Sequence, residues 1–213
     1  VDGLDGVGAV AFSPDPDGSG PNGGGHVYTA AAGDGAVGVF TRRQPDPGFA
    51  FIEVERDGVD DAGDPGGPVD GLYGARAAAV APDGRHLYAA GFGDNALAVF
   101  GRDQSQGATE ATRPLHLSFV QAQRDGLGGV DGLAGATAVV VSSDNRHVYA
   151  AGQNDNAVAA FTRNQTSGAL TFLEARKDGV GGVDGLAGAS GLALSADGAT
   201  LYLHVFNWPT DGK

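Results

Sequence analysis

The sequence predicts an all-β fold, a β-propeller with about three and a half blades of four-stranded antiparallel sheet. The tetrapeptide Val-Asp-Gly-Leu begins at Val1, Val69, Val130 and Val183, so successive copies start 68, 61 and 53 residues apart. Each complete copy contains four short apolar runs with turn residues between them. Four-stranded sheets repeated at about this period are typical of propeller blades, whereas a β-solenoid has a shorter period and lacks hairpins.

The composition excludes several classes of partner and site. The 213 residues include 26 acidic and 13 basic side chains, which gives a formal charge of −13. Such a surface repels phosphate backbones and anionic lipid, so nucleic acid is not an expected partner. No apolar run approaches the roughly 20 residues that a membrane span needs. The absence of cysteine excludes disulfides, thiolate zinc sites and cysteine nucleophiles.

The third copy is the shortest complete unit and predicts four strands, a to d, over residues 137–142, 147–151, 157–162 and 170–175. Asp144-Asn145 links strands a and b, and Asp155-Asn156 links strands b and c. Such pairs tolerate the positive φ that tight hairpin turns require. The unit is therefore predicted to be an up-and-down sheet. The small residues of strand a suit the crowded axis, and the recurring Tyr and Phe suit packing between blades.

The chain is predicted to form a single repeat domain. When the copies are aligned on their Tyr and Phe anchors, they differ in length only within loops. Blade one covers residues 1–68, blade two 69–129 and blade three 130–182, while residues 183–213 supply only strands a and b of a fourth blade. A half blade leaves an open sheet edge, which favours association with another chain.

Three segments carry a resemblance to a known family. They are Val-Ala-Pro-Asp-Gly-Arg-His-Leu-Tyr at 80–88, Gly-Asp-Asn-Ala-Leu-Ala-Val-Phe at 93–100 and Gly-Ala-Leu-Thr-Phe at 168–172. The chain resembles the bacterial YVTN or lactonase-like seven-bladed propeller repeats over nearly its whole length. The resemblance implies the propeller fold. It leaves the function open, because such propellers include sugar-lactone hydrolases as well as surface-layer and adhesive proteins.

Aspartates recur where strand d leads into the next strand a, and again in the turns between strands b and c. Propeller geometry places both sets at the same end of the blades. Asp/Gly loops of this kind suit calcium, which takes carboxylate and carbonyl oxygens, although aspartate is also common in tight turns because it hydrogen-bonds nearby backbone. The calcium interpretation gives these candidate ligands: Asp94, Asp125, Asp131, Asp155, Asp178 and Asp184.

The motifs give little support to a catalytic site. His26, His86 and His147 recur at the start of strand b, and a residue that every blade repeats is predicted to be part of the scaffold. No Gly-x-Ser-x-Gly elbow occurs, and residues 188–191 lack the second glycine at the required spacing. Residues that break the repeat include Glu110, His116, His204 and Trp208. They are expected in loops, strand ends or the tail, with nothing that brings them to one point.

The favoured function is therefore a structural or binding scaffold without enzymatic activity. The chain starts at Val1 without an initiator methionine, which favours a processed extracellular or periplasmic protein. The expected partners are other copies of the chain and a carbohydrate or cell-surface ligand. The predicted 14 strands become 28 in a closed dimer, as in a seven-bladed propeller, while end-to-end addition gives a filament. The alternative is a lactonase-like hydrolase of sugar lactones, of which this chain is a part.

Overall fold

The computed structural model describes residues 3–14, 25–42, 48–59, 67–102 and 117–206, and these contain fourteen β-strands and no helix. The strands form three four-stranded sheets and one two-stranded sheet, and all neighbours pair antiparallel in chain order. Among the described residues, no helix is long and apolar enough to cross a membrane. The predicted β-propeller of about three and a half blades is confirmed.

Each sheet begins with its strand a, and the first strands of consecutive sheets, β1, β5, β9 and β13, lie beside one another around the propeller axis. The strands in chain order are β1 (Val7–Phe12), β2 (His26–Ala31), β3 (Ala36–Arg42), β4 (Phe49–Arg56), β5 (Ala75–Val80), β6 (His86–Gly91), β7 (Ala96–Arg102), β8 (Leu117–Arg124), β9 (Ala136–Val141), β10 (His147–Gly152), β11 (Ala157–Arg163), β12 (Leu170–Lys177), β13 (Ala189–Leu194) and β14 (Leu201–Val205).

The turn residues act as the sequence predicts. Asn95, Asn145 and Asn156 have φ of 54°, 62° and 51°, the left-handed conformation that asparagine tolerates better than most side chains. The strands of the third sheet begin and end within two residues of their predicted bounds. Strand d is longer than predicted, because β12 continues to Lys177.

The hydrophobic core lies between consecutive sheets and not within any one of them. Tyr28 and Val39 of the first sheet pack against Leu87 and Phe100 of the second. Tyr88 of the second sheet packs in the same way against Phe161 of the third. Burial of each such side chain stabilises the fold by about 1.5–3 kcal/mol. Each blade therefore depends on its neighbours for most of its stability.

A buried arginine joins the second sheet to the third. The Arg163 side chain is 0% exposed. Its Nε donates to the Tyr88 hydroxyl at 2.6 Å, and Nη2 donates to Asp83 Oδ2 at 2.9 Å and to His86 Nδ1 at 2.7 Å. A guanidinium only donates hydrogen bonds, so His86 Nδ1 accepts. Burial and the Arg163 charge lower the pKa of His86 to about 4, which keeps the ring neutral.

The hydrogen bond between an arginine and a tyrosine recurs between the first and second sheets and is missing between the third and fourth. Arg102 Nε donates to the hydroxyl of Tyr28 between the first and second sheets. The described part of the fourth sheet consists of β13 and β14 and contributes no such arginine, so none hydrogen-bonds to Tyr149 there. Tyr149 instead lines a cavity of about 270 Å³ together with Leu201 and Leu203.

The two outer faces of this stack carry exposed apolar side chains. On the first sheet, Phe12 is 62% exposed and Phe49 is 60% exposed, whereas Leu117, at the position of Phe49 in the second sheet, is fully buried. On the fourth sheet, Tyr202 is 59% exposed, although Tyr88 at the same repeat position is fully buried. Both faces thus have the composition of interfaces between blades.

Replacement of Arg163 by methionine is expected to lower the free energy of unfolding by about 3–5 kcal/mol, because Asp83 loses a buried partner. Urea denaturation measures the change. The control is Arg176→Met, because Arg176 forms an exposed ion pair with Glu174 and its loss is expected to cost less than about 1 kcal/mol. Equal effects of the two variants would contradict the role given to Arg163.

Candidate functional site

One end of the blades collects the connections between sheets and the turns between strands b and c. Backbone hydrogen bonds join the two sets: Gly93 N donates to Tyr73 O at 2.9 Å, and Asn154 N donates to Ala134 O at 3.0 Å. This connection end contains the aspartates that the sequence singled out, and also the start of every strand a. The connection end therefore offers two candidate sites.

The aspartates form two clusters of three carboxylates. In each cluster, one oxygen of every member lies within 4.8 Å of the others. One cluster joins Asp94 to Asp57 and Asp70, and the other joins Asp125, Asp131 and Asp155. The remaining two predicted ligands stand apart from these clusters. Asp178 accepts from Leu186 N at 2.8 Å and Asp184 accepts from Gly185 N at 2.9 Å.

Backbone amides satisfy part of each cluster. Asp125 Oδ1 accepts from Leu133 N at 3.0 Å, and Asp155 Oδ2 accepts from Ala134 N at 3.1 Å. In the other cluster, Asp57 accepts from Leu72 N at 3.0 Å. Burial raises the pKa of Asp57, and the nearby Asp94 and Asp70 carboxylates add to the increase. These bonds tie the turns to the connections, which is the turn role that the sequence also allows.

A cation from the end of strand d reaches each cluster. Arg124 forms ion pairs with Asp70 and Asp94, and its hydrogen bond lowers the pKa of Asp70. Lys177 Nζ lies 2.6 Å from Asp131 Oδ1 and 3.3 Å from Asp155 Oδ1, and these contacts raise the pKa of Lys177. The protein's own charged groups thus occupy the position that a bound cation would take.

The axis carries a different kind of candidate site. Strand a of every sheet has a β-bulge at its second residue, where the register with strand b shifts. The bulged residues are Gly8, Arg76, Thr137 and Ser190, so the backbone repeats while the side chain changes from blade to blade. Bulges re-aim side chains and are frequent next to active sites. We call the set Arg76, Phe92, Thr137, Ser190 and His204 the axial mouth.

Arg76 supplies a cation to the axial mouth. Its guanidinium carbon lies 3.6 Å from the centroid of the Phe92 ring, a cation–π contact that holds the side chain over the aromatic face. The first and third sheets have Ala32 and Gln153 at the position of Phe92, and the fourth has Phe206. Arg76 is exposed, so an anionic or carbonyl oxygen is able to reach it.

Ser190 and His204 meet at the same mouth. Ser190 Oγ lies 2.9 Å from His204 Nδ1 and 3.3 Å from His204 O. Ser190 is not among the residues that break the repeat, but it meets His204 because β13 and β14 pair across the bulge at Ser190. The expectation that nothing brings the repeat-breaking residues to one point stays a prediction. An alignment of the four units could have identified His204, because the other three units have alanine at its position: Ala30, Ala90 and Ala151. Glu110, His116 and Trp208 lie outside the described residues.

Comparison with known families places the chain among propellers. The family model described as lactonase, 7-bladed beta-propeller, matches residues 10–183. A search of curated proteins gave no significant match.

Solved structures support the same fold. A candidate 6-phosphogluconolactonase from Bacteroides uniformis superimposes with a TM-score of 0.64 at 15% identity, covering 92% of this chain and 46% of that one. The periplasmic gluconolactonase PpgL from Pseudomonas aeruginosa gives a TM-score of 0.59 at 21% identity, with 92% and 46% covered. A protein of unknown function from Desulfotomaculum acetoxidans gives 0.63 at 19%, with 93% and 51% covered.

The chain thus spans about half the length of the solved structures that it matches. At these identities the superpositions establish the fold alone, and the family model, which matches most of the sequence, establishes the relationship. The chain belongs to the family of lactonase-type seven-bladed β-propellers.

Proposed function

We propose that the chain forms part of a lactone hydrolase that opens the ring of a sugar lactone at the axial mouth. The observation that carries this proposal is the change of side chain at one repeated bulge, from Gly8 to Arg76, Thr137 and Ser190. A scaffold has no need to vary this position, whereas an active site requires different groups around one substrate. Membership of the lactonase-type family and the names of two structural neighbours support the reaction class.

The chemistry of lactones fits the groups at the mouth. Ring opening places negative charge first on the carbonyl oxygen and then on the product carboxylate. An exposed guanidinium that an aromatic ring already orients is able to stabilise that charge with little reorganisation. The overall charge of −13 repels an oxyanion over most of the surface, and Arg76 provides a local positive charge that attracts it.

Hydrolysis of glucono-δ-lactone, followed with a pH indicator, is expected to exceed the spontaneous rate in the presence of the purified chain. Arg76→Gln is expected to reduce kcat/KM at least about tenfold, because it removes transition-state charge stabilisation. The control is Arg146→Gln, an exposed arginine at the opposite end of the blades. No hydrolysis above the spontaneous rate, or equal losses in the two variants, would contradict the proposal.

A second candidate function, assembly as an extracellular or periplasmic scaffold, has support from the two exposed outer faces. Phe12 and Phe49 on one face and Tyr202 on the other resemble buried positions of the complete interfaces. Among the described residues, the β14 strand pairs only with β13, and no described strand lies along its other edge. We propose that a second copy covers these surfaces, and that a carbohydrate or cell-surface ligand is the partner of the assembly.

Light scattering tests the scaffold. The purified chain is expected to have at least the mass of a dimer, and a growing mass would indicate a filament. The double variant Phe12→Asp with Phe49→Asp is expected to be monomeric, because it places charges in the apolar face. Leu127→Asp serves as the control, since Leu127 is exposed in a connection away from that face. A compact monomer of the unmodified chain at micromolar concentration would refute self-assembly.

The calcium interpretation stays a prediction, and the position of Lys177 makes it testable. Calcium at the cluster of Asp125, Asp131 and Asp155 has to displace the Lys177 ammonium group. Lys177→Gln removes this competitor, so millimolar calcium is expected to raise the melting temperature of the variant through preferential binding to the folded state. Asp131→Asn in the Lys177→Gln background is expected to abolish the rise. If Lys177→Gln shows no rise, the cluster does not bind calcium.

A further inference from the structure

We propose that Ser190 is a nucleophile and His204 is its general base. The substrate assigned to this pair, a sugar lactone, rests on the proposed function, but the reactivity of Ser190 can be tested without any lactone. A hydroxyl becomes an effective nucleophile when an adjacent imidazole accepts its proton. The distance of 2.9 Å between Ser190 Oγ and His204 Nδ1 meets that requirement.

The fourth unit departs from the repeat in a coordinated way around this pair. His204 replaces an alanine of the other units, and Gly191, its partner across the strands, also replaces an alanine: Ala9, Ala77 and Ala138. A Cβ added at Gly191 would lie 3.2 Å from His204 Cβ and 4.0 Å from His204 Nδ1. Both departures from the repeat therefore lie in the one strand pairing that brings His204 beside Ser190.

A purely structural role for the serine explains only part of the arrangement. In the third sheet, Thr137 Oγ1 donates to Ala151 O at 3.3 Å and to Ala189 O at 3.2 Å. Ser190 Oγ has the corresponding contact with His204 O at 3.3 Å. A hydroxyl that only satisfies this carbonyl needs no imidazole, since Ala151 serves the third sheet equally well. A structural role for Ser190 therefore does not account for the imidazole of His204.

The reaction that this pair would perform balances in two steps. Ser190 Oγ attacks the lactone carbonyl carbon, and the hydroxyl proton passes to His204 Nδ1. The bond between the carbonyl carbon and the ring oxygen then breaks, and the ring oxygen takes the proton from His204 Nδ1. The product is an ester of Ser190 that carries the opened sugar. Water then attacks the ester carbon and gives a proton to His204 Nδ1, the bond to Oγ breaks, and Oγ recovers the proton. A hydroxy acid leaves, and its carboxyl group ionises in water.

The position of the pair suits this chemistry. Among the described residues, His204 is exposed and Ser190 is half-buried, and both lie at the connection end of the fourth sheet. Arg76 and Thr137 occupy the same bulge position in the two preceding sheets, which places a cation and a hydroxyl around the same axis. Substrate bound at this end of β13 would therefore meet a nucleophile and its base.

The first test uses a fluorophosphonate reagent and the whole 213-residue chain. Intact mass and peptide mapping are expected to show one adduct, on Ser190. His204→Ala is expected to slow the labelling at least about 100-fold, the size of a typical general-base contribution. The matched control is Ser195→Ala, because Ser195 Oγ bonds to Asp197 and not to a histidine. Absence of an adduct on Ser190, or labelling that His204→Ala leaves unchanged, would overturn the proposal.

Two further variants separate loss of reactivity from loss of fold. Ser190→Thr reproduces the residue of the third sheet and is expected to keep the melting temperature, while labelling falls strongly because the added methyl group crowds Oγ. Gly191→Ala is expected to slow labelling only slightly, because the added Cβ crowds His204 Cβ at 3.2 Å while Nδ1 stays 4.0 Å away. If the reagent labels Ser190 but lactone is not hydrolysed, Ser190 and His204 keep their proposed roles and the substrate class is wrong. If lactone is hydrolysed while Ser190 does not label, the proposed function stands and this mechanism fails.

Discussion

A blade of this chain has two apolar faces and cannot bury either of them by itself, so the packing of consecutive sheets governs the rest of the structure. Arg163 shows how tightly that packing is specified. Its three nitrogens donate to a tyrosine, an aspartate, a histidine and a backbone carbonyl, all of them at the interface of two sheets. A shift of either sheet by one residue would break several of these bonds together. The relative position of the blades, and hence of the axial mouth, depends on this constraint.

The fold was predictable because its determinants are local and repeated. Asp-Asn and Asp-Gly turns, apolar runs of strand length and recurring aromatic residues each appear in several copies, so an error in one copy is corrected by the others. The cations that fill the aspartate clusters were harder to foresee. Arg124 is 54 and 30 residues from Asp70 and Asp94, and Lys177 is 22 residues from Asp155. These cations reach the aspartates only after the sheets form and pack.

The axial mouth was missed for a different reason. Ser190 and His204 are fourteen positions apart, and their contact depends on the bulge that shifts the register between β13 and β14. Periodicity does not reveal this bulge, because it lies at the second residue of a six-residue strand and too few residues precede it to show a change of alternation. The repeat also favoured the aspartates as candidate site residues. The Asp clusters recur and stood out in the sequence, whereas a group that acts once appears in a repeat only as a departure from it.

The recurrent bulge has a consequence for how such a protein can change. The blade fixes the strand-b partner of the bulged residue, its backbone geometry and its place at the axis. Its side chain is absent from the hydrophobic clusters between blades, although Thr137 hydrogen-bonds to Ala189 O of the next sheet. Glycine, arginine, threonine and serine all occupy it in one chain. Each duplication of a blade therefore adds one independent chemical group to a ring around a common centre, and substitutions in that ring can alter selectivity without reopening the question of whether the protein folds.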